Sequence, residues 1–332
     1  MSGLASVIRH HDVGDASSAR TNVRRSLTMV GESRPWLEAL NQAARVSPLE
    51  TITCLEGETG TGKELVARFI HRNSPRREGP FVAINCAALP EQLLESELFG
   101  YERGAFTGAH HTKAGQFEQA ARGVLFLDEI LELAPSAQAK LLRVLQEGEL
   151  QHLGGTRPIA TNVRVIVAAN RDLRDAVERG ALRADFYYRI SAFTIHLPPL
   201  RDRGADVLLL ARHFLEECAR VNRRVVTDFT PDAVTALIDH AWPGNARELR
   251  NAIERALIVC DGTVIRAMDL ALGPPPRRPA AEKTLHAIEQ DAIERALREA
   301  GGNRSRAARR LGISRTQLYG RLRRYGLEGT DS

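Results

Sequence analysis

Apolar residues follow two patterns that alternate over the first 200 positions. Trp36, Leu37, Leu40, Ala43 and Ala44 recur at helical spacing, so a helix face runs over 36–46. Thr51–Leu55, Phe81–Ile84, Val124–Leu127 and Val163–Ala168 are short β-rich runs, and Glu64–Arg72 between the first two is helical. Strands apolar on both faces, alternating with helices, predict a parallel sheet covered on each side. After Pro198-Pro199 only helical periods appear, over 204–222, 231–241 and 245–260. Thr230 before Pro231 is an N-cap followed by proline at the first helical position, and Asn245 with Glu248 reads as a variant capping box. The run Gly273–Pro279 cannot be helical and predicts a semi-rigid linker. An amphipathic helix over 284–300 follows, broken at Gly301-Gly302. Two short helices, 303–311 and 314–325, the second capped by Ser314, then flank a turn at Gly312. Residues 1–27 carry no apolar period and are expected to form a flexible tail.

Composition narrows the class. The chain has 332 residues, 43% hydrophobic and 26% charged, which excludes a wholly disordered protein. No apolar run approaches the roughly 18 residues that span a bilayer, and the N-terminus lacks the apolar stretch of a secretory signal. Cys54, Cys86, Cys218 and Cys260 lie far apart, so no disulfide framework or zinc ribbon is expected, and a cytoplasmic location fits. The net charge of +5 is uneven. Residues 303–325 hold eight arginines and no acid, which predicts a nucleic-acid-binding end on a near-neutral body.

Gly57-Glu58-Thr59-Gly60-Thr61-Gly62-Lys63-Glu64 follows a strand and opens a helix, the context that a phosphate-binding P-loop requires. Its glycines let backbone N–H groups surround phosphates, the helix N-terminus adds partial positive charge, and Lys63 reaches the β and γ phosphates. Glu64 stands where the usual pattern has a Ser or Thr touching Mg²⁺. Asp128 and Glu129 end an apolar strand, where open α/β sheets bind ligands. Asp128 suits Mg²⁺ or its water shell, and Glu129 suits polarising an attacking water.

Gly104-Ala105-Phe106-Thr107-Gly108-Ala109 resembles the GAFTGA loop of sigma-54-dependent transcriptional activators, which are AAA+ ATPases. Asn85–Leu89, Glu97–Glu102, Leu141–Gln146, Leu197–Arg201 and Trp242–Leu249 match the same family, so the resemblance covers roughly 28–272. In that family the P-loop ordinarily ends in Lys-Glu. The resemblance implies ATP with Mg²⁺ as cofactors, Asp128 and Glu129 as the Walker B pair, and Asn85 as a switch on Glu129. It implies that Arg183 and Arg189 are arginine fingers for a neighbouring subunit, that Arg247 is a lid sensor, and that Asn170 follows the sensor I strand. Ala169 replaces the family's usual Thr, which removes a hydroxyl donor. The loop 104–109 is implied to contact sigma-54. His110 and His111 are expected to be exposed rather than metal ligands.

The C-terminal helix pair has the spacing of a helix-turn-helix and resembles the Fis-type module that closes this family. Arg315, Thr316, Gln317, Tyr319, Gly320 and Arg321 are expected to face a major groove, and Arg304, Arg306, Arg323 and Arg324 to meet phosphates. The expected architecture is a tail (1–27), an α/β ATPase subdomain (28–200), an all-α lid (201–272), a linker (273–281) and a DNA-binding module (282–328). The expected partners are sigma-54 RNA polymerase holoenzyme, double-stranded enhancer-like DNA and further copies of the chain, as a hexamer. About 27 residues ahead of the core are too few for a receiver domain. Control independent of phosphorylation is therefore expected, by expression level, self-assembly or, ranked first, a regulatory protein acting in trans as in the phage-shock activators. Two alternatives are an AAA+ motor with another protein or DNA substrate, and a DNA-binding repressor with a weak ATPase core.

Overall fold

A computed structural model describes residues 29–272, Ile293, Ala296, Leu297, Ala300 and 303–324. The expected tail, the linker and most of the helix expected over 284–300 lie outside the described residues, as do the side chains of Arg323 and Arg324. Contacts divide the described residues into two compact units on either side of Pro274.

The first unit is built on five parallel strands. In chain order it runs α1 (Arg34–Val46), β1 (Thr53–Glu56), α2 (Lys63–Arg72), β2 (Phe81–Asn85), α3 (Glu91–Phe99), α4 (Gln116–Gln119), β3 (Val124–Asp128) and α5 (Pro135–Glu147). A two-residue antiparallel pair, β4 (Glu149–Leu150) and β5 (Ile159–Ala160), precedes β6 (Arg164–Ala169), α6 (Leu173–Glu178), α7 (Ala184–Ile190) and β7 (Phe193–His196). The sheet order is β2-β3-β6-β1-β7, every pairing parallel. The central strands β1 and β6 are buried along their whole length, as their apolar sequences require. Two cores result. Trp36, Val66, Ile70 and Phe126 fill one side of the sheet, and Leu98, Phe117, Leu141 and Phe186 the other. The edge strand β7 is not among the strands that the pattern predicts.

The lid follows with α8 (Asp206–Asn222), α9 (Pro231–Asp239), α10 (Asn245–Val259) and α11 (Ala267–Leu270), near the predicted spans. It also contains a two-residue parallel pair, β8 (Asp228–Phe229) with β9 (Val264–Ile265). Trp242 lies at the centre of its core and donates its indole N–H to Leu237 O at 2.8 Å. The buried Asp206 carboxylate accepts from Glu32 N (2.7 Å), Ser33 N (3.0 Å), Ser33 Oγ (2.6 Å) and Arg203 Nε (3.0 Å), and the Arg203 guanidinium stacks 4.1 Å from the Trp36 ring. The segment entering α1 is thereby pinned to the lid.

The second unit contains α12 (Arg304–Arg310) and α13 (Arg315–Arg324) around a core of Ile293, Ala296, Ala307, Leu318 and Leu322. Gly312 turns between them at φ +66°, a left-handed conformation that suits glycine. Asn303 caps α12 by accepting from Arg306 N. Ser314 and Gln317 form the reciprocal capping box of α13, at 3.2 and 3.0 Å.

One buried cation holds the back of the sheet. Arg164, at the start of β6, donates to Ser47 O (2.6 Å) and Val46 O (2.9 Å), satisfying carbonyls at the end of α1. Arg164→Met strands the Ser47 carbonyl and leaves Val46 O with Leu49 N as its donor, and is expected to cost about 2–4 kcal/mol of unfolding free energy. Urea denaturation followed by circular dichroism checks this, and an unchanged midpoint would refute the anchoring role.

Candidate nucleotide-binding cleft

The P-loop connects β1 to α2, and its shape depends on the lid. Gly60 and Gly62 adopt φ +82° and +101°, left-handed turns that aim the first amides of α2 into the loop. A Cβ at position 60 would collide with Gly244 O, so lid and loop touch backbone to backbone. Ala246 N donates to Gly60 O at 3.1 Å. Asn245, buried and at φ +52°, does most to join them: its Nδ2 donates to Thr59 O (3.0 Å) and Glu58 Oε2 (3.1 Å), and its Oδ1 accepts from Leu200 N (2.7 Å). This corrects the capping-box expectation. Asn245 is the first residue of α10, Gly244 is the cap, and Glu248 accepts from Gly244 N at 2.8 Å.

A cleft of about 200 Å³ opens beside the loop, lined by Thr59, Gly60, Gly62, Lys63, Glu64, Asn85, Asp128, Glu129 and Arg247. Lys63 is largely buried and donates to Gly57 O (2.7 Å) and Glu58 O (3.1 Å). Burial pulls its pKa below the ordinary lysine value against the opposing pull of Asp128 and Glu129, and Arg247 lowers it further. Asn85 sits in register beside Asp128 across β2 and β3, and its Oδ1 accepts from Ala87 N at 2.8 Å. Glu129 occupies the left-handed region at φ +55°, and its N–H donates to Asp128 Oδ1 at 3.0 Å. Burial pushes the neighbouring Cys86 thiol up to about 12, helped by both carboxylates, so it stays protonated. The cleft thus sets two cations and a helix N-terminus opposite two carboxylates, a charge pattern that suits a polyphosphate carrying its own divalent metal.

The other expected residues turn away from the cleft or sit at its rim. Glu58 turns to the lid, where Arg201 grips it at 2.6 and 2.8 Å and, with Asn245, holds its carboxyl below the usual range. Thr61 turns its hydroxyl back to Glu58 O (2.8 Å), and Glu64 pairs with Arg68 at 2.7 Å. Asn170 lies one residue beyond β6, where Ala169 O accepts from Gly57 N at 3.2 Å. Arg183 and Arg189 do not line the cleft of their own chain. Arg183 pairs with Asp185 at 2.8 Å, and Arg189 donates to Leu145 O.

Residues 104–109 form a hairpin tip. Gly104 and Gly108 have φ +84° and +105°, Ala109 is buried, and Phe106 and Thr107 are exposed. Phe106 packs edge-on against Tyr101, ring centroids 4.9 Å apart, rather than entering the core. His110 and His111 are exposed, as expected. At the base of the loop His152 bridges Glu102 and Glu118, each at 2.8 Å. These three residues are far apart in sequence, and no local signal joins them. In the second unit Arg306, Arg315, Thr316, Gln317 and Tyr319 are exposed, Arg321 is half-buried, and the Arg304 guanidinium lies 5.5 Å from the Tyr319 ring.

Burial alone would lower the His152 pKa, but hydrogen bonds to the Glu118 and Glu102 carboxylates and their negative charge outweigh it and raise it above the ordinary value of 6.5. A raised pKa contributes stability that is complete below about 6.5 and is lost as pH rises through the folded-state value. The stability difference between wild type and His152→Ala is therefore expected to be about 1 kcal/mol at pH 6 and to shrink by pH 9. Parallel urea titrations check this, and a difference that grows with pH would contradict it.

Comparison with known proteins agrees with this geometry. Residues 29–196 match the sigma-54 interaction domain, 201–287 an AAA+ ATPase lid domain, and 284–325 the Fis family of bacterial regulatory proteins. The transcriptional regulatory protein ZraR of Klebsiella oxytoca is 47% identical over 303 residues, covering 89% of this chain and 68% of that protein. The regulatory protein AtoC of Escherichia coli strain K12 is 44% identical, covering 90% and 68%. NtrX from Brucella abortus, crystallised in complex with ATP, superposes with a TM-score of 0.67 at 31% identity, covering 90% of this chain and 69% of that one. The chain belongs to the sigma-54-dependent transcriptional activators, as an AAA+ ATPase with a Fis-type helix-turn-helix.

Proposed function

We propose that this activator hydrolyses ATP within a hexameric ring and uses each cycle to drive the 104–109 loop against sigma-54, opening the promoter held in the closed RNA polymerase complex. The observation that carries the reading is the convergence of Lys63, Asn85, Asp128, Glu129 and Arg247, from four separate segments, on one cleft that shares no residue with the exposed loop. Lys63 and the amides of Gly60, Gly62 and Lys63 bind the phosphates, with Gly57, Thr59 and Thr61 shaping the loop and Glu64 at its rim. Asp128 would hold Mg²⁺ brought with the nucleotide, and the metal neutralises phosphate charge when bound. Glu129 polarises the attacking water, and Asn85, one strand away, restrains it. Arg247 reads the nucleotide from the lid, and Asn170 lies at the sensor strand's end. Arg183 and Arg189 act in a neighbouring copy's cleft, which fits their exposure and their distance from their own. An arginine supplied this way is worth about 10³–10⁵ in rate.

In this reading residues 28–200 and 201–272 are the ATPase and its lid, 273–281 a linker behind a tail of 1–27, and 282–328 the DNA-binding domain. The domain binds double-stranded enhancer-like DNA in the cytoplasm. The exposed face of α13 enters the major groove, with Arg315, Thr316, Gln317, Tyr319 and Arg321 towards the bases. Arg304, Arg306, Arg323 and Arg324 meet phosphates. Ser314 and Gln317 also close the start of α13.

Thr107→Ala is expected to keep ATP turnover within about twofold of wild type while open-complex formation on a sigma-54 promoter falls about 10²-fold. Lys63→Ala is expected to lose both, with turnover down about 10²-fold or more. Coupled ATPase and open-complex assays on the purified proteins decide this. Normal promoter opening by the Thr107 variant, or normal turnover by the Lys63 variant, would overturn the reading.

A further inference from the structure

Gln138 lies in the second turn of α5 and is completely buried. A glutamine amide inside a core costs stability unless its groups are paired, and here they are. Its Nε2 donates to Leu133 O (2.8 Å) and Ala181 O (3.0 Å), and its Oε1 accepts from Arg183 N (3.0 Å). Leu133 ends the short turn after Glu129, and Ala181 and Arg183 belong to the segment that leads into α7. One side chain therefore ties the backbone carrying Arg183 to the segment that follows the carboxylate pair. The Arg183 side chain is exposed and, among the described residues, pairs with its near neighbour Asp185. Its direction is thus set by the backbone beneath it, and Arg183 N–H is the first anchor of that backbone at the N-cap of α7.

We infer that Gln138 is a positioning residue for Arg183: it fixes the backbone from which that arginine reaches a neighbouring copy's nucleotide. The inference rests on the reading that Arg183 acts in trans. Removing the amide leaves the P-loop and Glu129 intact and misplaces the arginine. The defect then belongs to the subunit that donates the finger, not to the subunit that holds the nucleotide. A purely structural role, or an effect passed through Leu133 to Glu129, would damage the chain's own site instead.

The two cases are separated by mixing full-length proteins. Gln138→Met, similar in length and apolar, is expected to bind a fluorescent ADP analogue within about twofold of wild type and to lose at least tenfold in ATP turnover. Mixed with Lys63→Ala protein, whose finger is intact, it is expected to recover turnover. Mixed with Arg183→Ala protein, it is expected to recover none. The reverse pattern, rescue by Arg183→Ala and not by Lys63→Ala, overturns the inference, as does undiminished turnover by Gln138→Met alone. The control is a mixture of Arg183→Ala with Lys63→Ala in demonstrated mixed rings. If that control recovers and the Gln138→Met mixture with Lys63→Ala does not, the inference about Gln138 fails alone. If the control also fails, action in trans fails and the inference falls with it. Should Gln138→Met not bind nucleotide, Gln138→Asn takes its place in the same mixtures. Its amide is one methylene too short to hold Arg183 N–H together with both carbonyls, and the same outcomes decide.

Discussion

The site depends on the contact between the lid and the P-loop. A phosphate-binding loop is a backbone device: its amides must point inward, which requires left-handed turns at Gly60 and Gly62. Here the lid forms part of that device. Gly244 lies so close to Gly60 that no side chain fits between them, and Asn245 binds the loop carbonyl, the Glu58 carboxylate and the hinge amide of Leu200 at once. Each group of a buried amide that makes such bonds would be costly to leave unpaired, so the arrangement resists partial opening. The position of α10, and therefore of Arg247 two residues after Asn245, is set by its contact with the P-loop.

This arrangement gives the chemistry a route outward. The strand that ends in Asp128 leads through a short turn to α5, and α5 supports the backbone of Arg183 through Gln138. A second route leaves β2, whose Asn85 faces the cleft, and continues through α3 to Gly100 and the 104–109 hairpin. The base of that hairpin is fixed by Leu153 N donating to Gly100 O, by Glu102 N donating to Leu153 O, and by the His152 bridge. The cleft, the backbone of Arg183 and the 104–109 hairpin are thus connected by short backbone elements.

Much of this was legible in the sequence because the chemistry is local. The P-loop, the carboxylates at the end of β3 and the arginine-rich C-terminal helices each depend on a contiguous run of residues. The fold class followed from apolar runs that are buried on both faces. The pattern failed where tertiary context decides. Strand β7 is four residues long at a sheet edge, and its Phe-Thr-Ile-His sequence carries only a weak alternation. Asn245 follows a local capping pattern, yet its side chain is taken by a loop almost 190 residues away in sequence. Gln138 has the composition of a surface residue on an amphipathic helix, and two of its three partners lie more than 40 residues away, so no local pattern marks it as buried. The His152 bridge joins residues 34 and 50 positions apart, beyond any local motif.

The most direct test of the account is nucleotide affinity when the lid is released from the loop. Asn245→Ala removes the side-chain bonds to Glu58, Thr59 and Leu200 while leaving Lys63, Asp128, Glu129 and Arg247 in the chain. A fluorescent ADP analogue titrated against this variant and wild type should show at least about tenfold weaker binding, equivalent to ~1.4 kcal/mol, with the unfolding midpoint of the α/β core little changed. Binding at the wild-type affinity would contradict the claim that the lid contact shapes the phosphate site.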